Sequence, residues 1–291
     1  MDYSTLISPS LGILVGILMG LTGAGGGILS VPLLIFFLGL PIAEAAPIAL
    51  CAVALASSIG AILGLKNKIL RYKAAIFMAI FGSILSPVGL WLTRQIPNAP
   101  LQILFSVILL YVAINLFFQA RNELRGIPEI NRKPPPCLVL PAVGKLQWTV
   151  PCARALILSG SIAGFLSGLL GVGGGFIIVP ALKRYTDLPI KSIVATSLGV
   201  LAIITGGGAI FSAASGNLNL MVAAPFSIAA LVGLLLGQLL GKKISGPNVQ
   251  LIFAIFTLLV AISLLIRGAL NLRLEIFSLI EVTPLASLFS C

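Results

Sequence analysis

Apolar residues run through this chain in long blocks, broken at intervals by short clusters of basic or turn-forming residues. A helix needs about 20 apolar residues to cross a hydrocarbon core. Charge-free blocks of that length lie at about 45–65, 74–93 and 101–120, and again at about 192–213, 222–240 and 249–266. Two further blocks, at about 11–40 and 155–182, are interrupted by glycine clusters. As one helix the first of these would be about 45 Å long, against a core of about 30 Å. Glycines at 23, 25, 26 and 27 break it, because glycine costs about 1 kcal/mol per helical position relative to alanine. The pattern therefore predicts two arms, 11–22 and 28–38, each too short to cross alone, and a second such pair at 155–170 and 176–182.

The interrupted blocks are copies of one another. Gly23-Ala24-Gly25-Gly26-Gly27-Ile28-Leu29-Ser30-Val31-Pro32 returns as Gly171-Val172-Gly173-Gly174-Gly175-Phe176-Ile177-Ile178-Val179-Pro180. The displacement is 148 positions, and eleven of nineteen residues are identical between 16–34 and 164–182. Leu40-Pro41-Ile42 likewise returns as Leu188-Pro189-Ile190, and Gly60-Ala61-Ile62 as Gly208-Ala209-Ile210, at the same displacement. The chain divides into a first membrane repeat at 1–120, a connector at 121–154 carrying Pro134-Pro135-Pro136, and a second repeat with a C-terminal tail at 155–291.

Composition fixes the class. With 59% hydrophobic and 9% charged residues the chain has too little polar surface for a soluble globule. The expected fold is an all-α polytopic membrane protein. Met1-Asp2-Tyr3-Ser4 carries no Lys or Arg ahead of the apolar stretch, so no cleaved signal peptide is expected. The net charge of +11 does not indicate nucleic acid, because the cations sit in short loops between apolar blocks, where membrane orientation explains them. If each interrupted block crosses once, the 18 Lys and Arg divide twelve to six between the two sides. If each enters and leaves by one face, or makes two crossings, they divide fifteen to three. The second division predicts the basic side, including the connector, in the cytoplasm and both termini outside. It gives each half an odd number of passes, so the halves are two inverted repeats, each a glycine-broken helix plus three transmembrane helices.

The candidate chemistry lies at the glycines. The first amides of a helix have no partner within it and carry the positive end of its dipole. Glycine lets an anion approach them without a side chain in the way. Gly23, Gly25, Gly26 and Gly27, with Gly171, Gly173, Gly174 and Gly175, are the candidate substrate-binding residues for a small anion. Gly12, Gly16 and Gly20, like Gly160, Gly164 and Gly168, have instead the four-residue spacing of close helix packing. All seven carboxylates fall at segment ends, in the connector or in the tails. There is no His, and the four cysteines form no CxxC pair; no metal, cofactor or enzyme activity is expected, and the cysteines read as isolated free thiols.

The duplicated glycine element, the Leu-Pro after it and Ala195-Thr196-Ser197-Leu198 together resemble the sulfite exporter TauE/SafE family, also called the toluene sulfonate uptake permease family. The resemblance implies a multi-pass cell-membrane transporter of sulfite, sulfonates or related organic anions, and it adds Thr196 and Ser197 to the candidate site. The first half carries Pro47-Ile48-Ala49 at the matching place, without hydroxyls. The expected function is secondary transport by alternating access, with the anion held at paired helix starts near the midplane. The alternative is a non-transporting membrane scaffold or assembly subunit. The expected partners are a small anion and the bilayer; the oligomeric state is open.

Overall fold

The computed structural model describes residues 3–22, 26–125, 136–138, 148–216, 218–241 and 246–282. Its helices are α1 (Tyr3–Thr22), α2 (Ser30–Leu38), α3 (Ile42–Lys66), α4 (Tyr72–Gln95), α5 (Asn98–Leu124), α6 (Val150–Leu170), α7 (Gly175–Tyr185), α8 (Ile190–Ala214), α9 (Leu220–Leu240) and α10 (Gly246–Val282). A 3-10 turn, Gly26–Leu29, leads into α2. Among the described residues seven helices are long and apolar enough to cross a membrane, so the fold is all-helical and polytopic as composition requires. Proline sets three of the starts. Pro41, Pro97 and Pro189 stand in extended conformation immediately before α3, α5 and α8, where a missing N–H removes no helical bond.

Close packing follows the glycines. A Cβ on Gly12, Gly16 or Gly20 of α1 would strike the carbonyl oxygens of Phe226, Ala230 and Leu234 on α9. One on Gly160, Gly164 or Gly168 of α6 would strike those of Met78, Gly82 and Ser86 on α4. These two sets differ by 148 positions at every contact. The same exchange relates Gly60 against Leu198 to Gly208 against Leu50 across α3 and α8. In lipid, where apolar side chains gain little by meeting one another, such backbone approach is what holds helices together. The halves are therefore interleaved: α1 packs on α9, α4 on α6, α3 on α8 and α5 on α10.

The ends of the helices sort into two groups. At one end the Thr196 hydroxyl of α8 meets the Arg71 amide before α4, and Trp148, just before α6, stacks edge-on against Phe77 of α4 at 5.1 Å. Lys66, Lys68, Arg71, Lys73, Lys183, Arg184 and Lys191 lie at this basic end, at or between its helix termini. At the other end Ser8 of α1 donates to the Val222 carbonyl of α9 at 3.1 Å, and Asn98 accepts from the Ile42 amide at 3.2 Å. The Arg267 guanidinium there lies 4.8 Å above the Phe36 ring of α2. The hairpin of α1 and α2 thus opens at one end of the molecule, and that of α6 and α7 at the other.

Two expectations need correction. The first arms are longer than expected, α1 having 20 residues and α6 having 21; α6 is long and apolar enough to cross, whereas α1, counted as an apolar helix over Ile7–Thr22, and the short α2 and α7 are not among the seven spans. Residues 3–10 and 150–154 join these arms because they extend an existing helix at little cost. Beyond Arg267 the chain stays helical, α10 continuing to Val282. Finally, Cys137 and Cys152 are not free thiols but a disulfide with Cα atoms 5.0 Å apart. The chain returns at Cys137 to bond the carbonyl of Tyr185 and the amide of Asp187 at the end of α7, which places its side chain beside the first turn of α6. Closing 15 residues into a loop stabilises by about 3 kcal/mol. We expect Cys137→Ser and Cys152→Ser each to lower the thermal midpoint in detergent, the double variant no further, and a dithiol reductant to do the same to the wild type.

Candidate anion site

Gly23 and Gly25 lie outside the described residues. The remaining glycines of both clusters are buried and meet at mid-height in the helix bundle. A Cβ on Gly27 would lie 3.1 Å from the Val172 carbonyl oxygen, and also 3.1 Å from a methyl of Val53. A Cβ on Gly173 would lie 2.9 Å from the other Val53 methyl, 3.3 Å from the Thr205 methyl and 3.4 Å from Leu201. Val53 is therefore wedged between the two turns near the middle of the 25-residue α3. Leu201 is its counterpart on α8 at the 148-residue displacement. Sequence reading missed Val53 and Leu201; the displacement that pairs them was the one signal pointing to them.

The local backbone follows from the residue type. Gly171, Gly173 and Gly174 have φ of 69°, 79° and 68°, a region that costs other residues roughly 1–2 kcal/mol. Gly171 closes α6 by donating to the Ser167 carbonyl at 2.8 Å, and Gly174 opens α7 by accepting from the amides of Ile177 and Ile178. The amides of Gly175 and Phe176 have no acceptor among the described residues, nor do those of Gly26 and Gly27. Each turn thus presents buried donors and a helix start, and the described charged residues before α10 sit near helix ends or in the loops beyond them. Such a place favours a small anion by donor count and dipole alone.

Thr196 and Ser197 lie elsewhere on α8. Both are fully buried, but Thr196 accepts from the Arg71 amide at 3.1 Å and Ser197 bonds back to the Val194 carbonyl at 2.9 Å. Thr205, nine residues further on, is the hydroxyl residue beside Gly173, about 13 Å along the helix from Thr196. Removing the acceptor at Thr196 leaves the part-buried Arg71 amide without that partner, worth roughly 1 kcal/mol. We expect Thr196→Val to lower the thermal midpoint accordingly, Thr196→Ser to restore it, and Ser197→Ala to change it little.

A cavity of about 410 Å³ opens at the end opposite the basic one, lined by Ala43, Glu44, Arg94, Gly216, Leu218 and Asn219. It approaches the second glycine turn through α3, because a Cβ on Gly171 would strike the Ala46 Cα, one helical turn below Ala43.

These features define a polytopic membrane protein built on two glycine-broken helices that meet at the centre of the bundle. The sequence profile of the Sulfite exporter TauE/SafE family matches residues 10–264, and the chain belongs to that family. It is similar to a "Probable membrane transporter protein" of Methanocaldococcus jannaschii, 28% identical over 84% of this chain and 88% of the relative. It is similar also to the "Probable membrane transporter protein YunE" of Bacillus subtilis, at 25% over 91% and 98%. One from Xylella fastidiosa is 28% identical over 91% and 96%. Family and names alike support a membrane transporter and point to transport rather than catalysis.

Proposed function

We propose that this protein is a secondary transporter of small oxyanions, sulfite or sulfonate-like, held between the paired glycine turns. The observation that carries the reading is the meeting of the Gly26–Gly27 and Gly171–Gly175 segments around Val53, with amides that have no acceptor among the described residues. The two halves act as inverted repeats: the α1–α2 hairpin opens to one side of the membrane, the α6–α7 hairpin to the other. Rocking one half against the other exposes the same central anion alternately. The resemblance of the paired motifs to a family of sulfite exporters supports the substrate class.

The test is flux into proteoliposomes of labelled sulfite, thiosulfate, sulfate and a short sulfonate. Saturable uptake of one or more, above protein-free vesicles, is expected; folded protein that moves none of them overturns the reading. Orientation has two supports that disagree. The cations favour a cytoplasmic basic end, whereas the disulfide at that end favours an oxidising compartment. We assign the basic end to the cytoplasm, because fifteen of 18 cations follow from one topology. An impermeant thiol reagent added to whole cells should then label Gly216→Cys and spare Lys68→Cys; the reverse pattern inverts the assignment.

A further inference from the structure

Helical hydroxyls in this protein usually bond back to their own helix. Thr22, Ser57, Ser58, Ser159, Thr205 and Thr257 each donate to the carbonyl four residues earlier at 2.5–2.8 Å. Six serine hydroxyls among the described residues do not, those of Ser30, Ser83, Ser86, Ser167, Ser212 and Ser227, and three of these serines stand close to one another on three helices. Ser86 of α4, Ser167 of α6 and Ser212 of α8 are fully buried, and their hydroxyls have no partner among the described residues. An unpaired hydroxyl in an apolar interior costs roughly 1–3 kcal/mol, so a cluster of them asks for a ligand.

Their placement is not random. The Ser86 hydroxyl lies 3.2 Å from where a Cβ on Gly208 would stand. Thr205, Gly208 and Ser212 succeed one another on α8 at spacings of three and four residues and so share one face, and Gly216 follows two residues past the end of the helix. That face begins at Thr205 beside Gly173 and leads to Gly216 in the wall of the cavity. Ser167 stands one turn past Ala163, whose carbonyl oxygen would lie 2.5 Å from a Cβ on Gly174. At the 148-residue displacement the counterparts of Ser86, Ser167 and Ser212 are Leu234, Met19 and Gly64, and that of Gly216 is Lys68.

We propose that Ser86, Ser167 and Ser212 line the passage between the cavity and the second glycine turn, donating to the oxygens of the anion on its way. The inference rests on the transport reading. The passage is closed in this structure, with all three hydroxyls buried, and opens when α4 and α8 part. On the matching route toward the basic end the counterparts of Ser86 and Ser167 are the apolar Leu234 and Met19, with the Gln238 side chain 3.7 Å from a Cβ on Gly60 and Lys68 beyond.

Two measurements test it. The first does not depend on the substrate: single Ser86→Cys and Ser212→Cys variants are made in a background with Cys51 and Cys291 replaced by alanine, and exposed to an impermeant, charged thiol reagent. Both should react, while Ser227→Cys on α9, equally buried and unpaired, should not. Protection of Ser86→Cys and Ser212→Cys to the same degree as Ser227→Cys overturns the passage. The second is flux of whichever anion the wild type carries. Ser86→Ala and Ser212→Ala should lower it about tenfold or more, the loss of one donor to an anion, while leaving the thermal midpoint unchanged or higher. Ser212→Thr should recover part of the flux. Undiminished flux in both alanine variants overturns the role of the hydroxyls. Labelled cysteines in a protein that carries none of the anions would leave the passage standing and remove the substrate reading alone.

Discussion

Leucine at Gly16 or at Gly164 is expected to abolish the folded protein, and alanine at either to lower its stability by roughly 1–3 kcal/mol or more. A Cβ at Gly164 would strike the carbonyl oxygen and Cα of Gly82, and one at Gly16 the carbonyl oxygen of Ala230. Neither neighbour is a side chain that can turn aside, so α6 must part from α4, or α1 from α9. Parting also removes the dispersion contacts on which association in lipid depends. Because the two contacts are counterparts at the 148-residue displacement, the two alanine variants should lose similar amounts. Gly206 and Gly207 on α8 supply the control. Nothing lies within 4 Å of a Cβ at either position, and alanine there should stabilise by up to about 1 kcal/mol through helix propensity. Size-exclusion profiles and thermal midpoints in detergent read all four variants. If Gly164→Ala melts with the wild type, the helices have room that the contacts deny.

Much of this architecture was legible in the sequence because it was written twice. The displacement of 148 residues gave the plan of each half, and the four-residue glycine spacing gave the packing faces of α1 and α6. It did not give the partners. Which helix meets Gly12, Gly16 and Gly20 is decided by a surface on α9, more than 200 residues away, and spacing within one helix carries no record of it. The length of α1 was misjudged because a charge-free block was equated with a helix, whereas Tyr3–Ser10 continues one with polar residues that are tolerated near a terminus. The disulfide escaped for a similar reason: Cys137 reaches Cys152 only because it pairs with Tyr185 and Asp187, and nothing near either cysteine announces that pairing. The candidate site divides likewise. Glycine clusters are visible as a departure from helix composition. Thr196 was selected by resemblance, and its hydroxyl turns out to hold the Arg71 amide. Ser86, Ser167 and Ser212 look like any other helical serines until the absence of a bonding partner is seen.

Methyl groups at the two meeting points of the glycine turns are expected to stop transport while leaving the protein folded. Gly27→Ala is the gentler variant. Its backbone has no positive φ, and the added carbon would lie 3.1 Å from both the Val172 carbonyl and a Val53 methyl. The neighbours need yield only a few tenths of an ångström, but the space for an anion between the turns is then taken. Gly173→Ala fills the facing side against Val53, Thr205 and Leu201 and also incurs the strain of φ at 79°, roughly 1–2 kcal/mol. The two effects separate by comparison with Gly39→Ala. Gly39 caps α2 with φ at 67°, and nothing lies within 4 Å of its Cβ position. It should therefore lose stability much as Gly173→Ala does and keep its flux. Gly27→Ala and Gly173→Ala should each fall at least tenfold in flux at comparable amounts of folded protein, a difference of about 1.4 kcal/mol or more in the bound state or the barrier. Equal flux in Gly39→Ala and Gly173→Ala would make backbone strain the whole effect at position 173. Full flux in Gly27→Ala as well would place the anion somewhere other than between the turns.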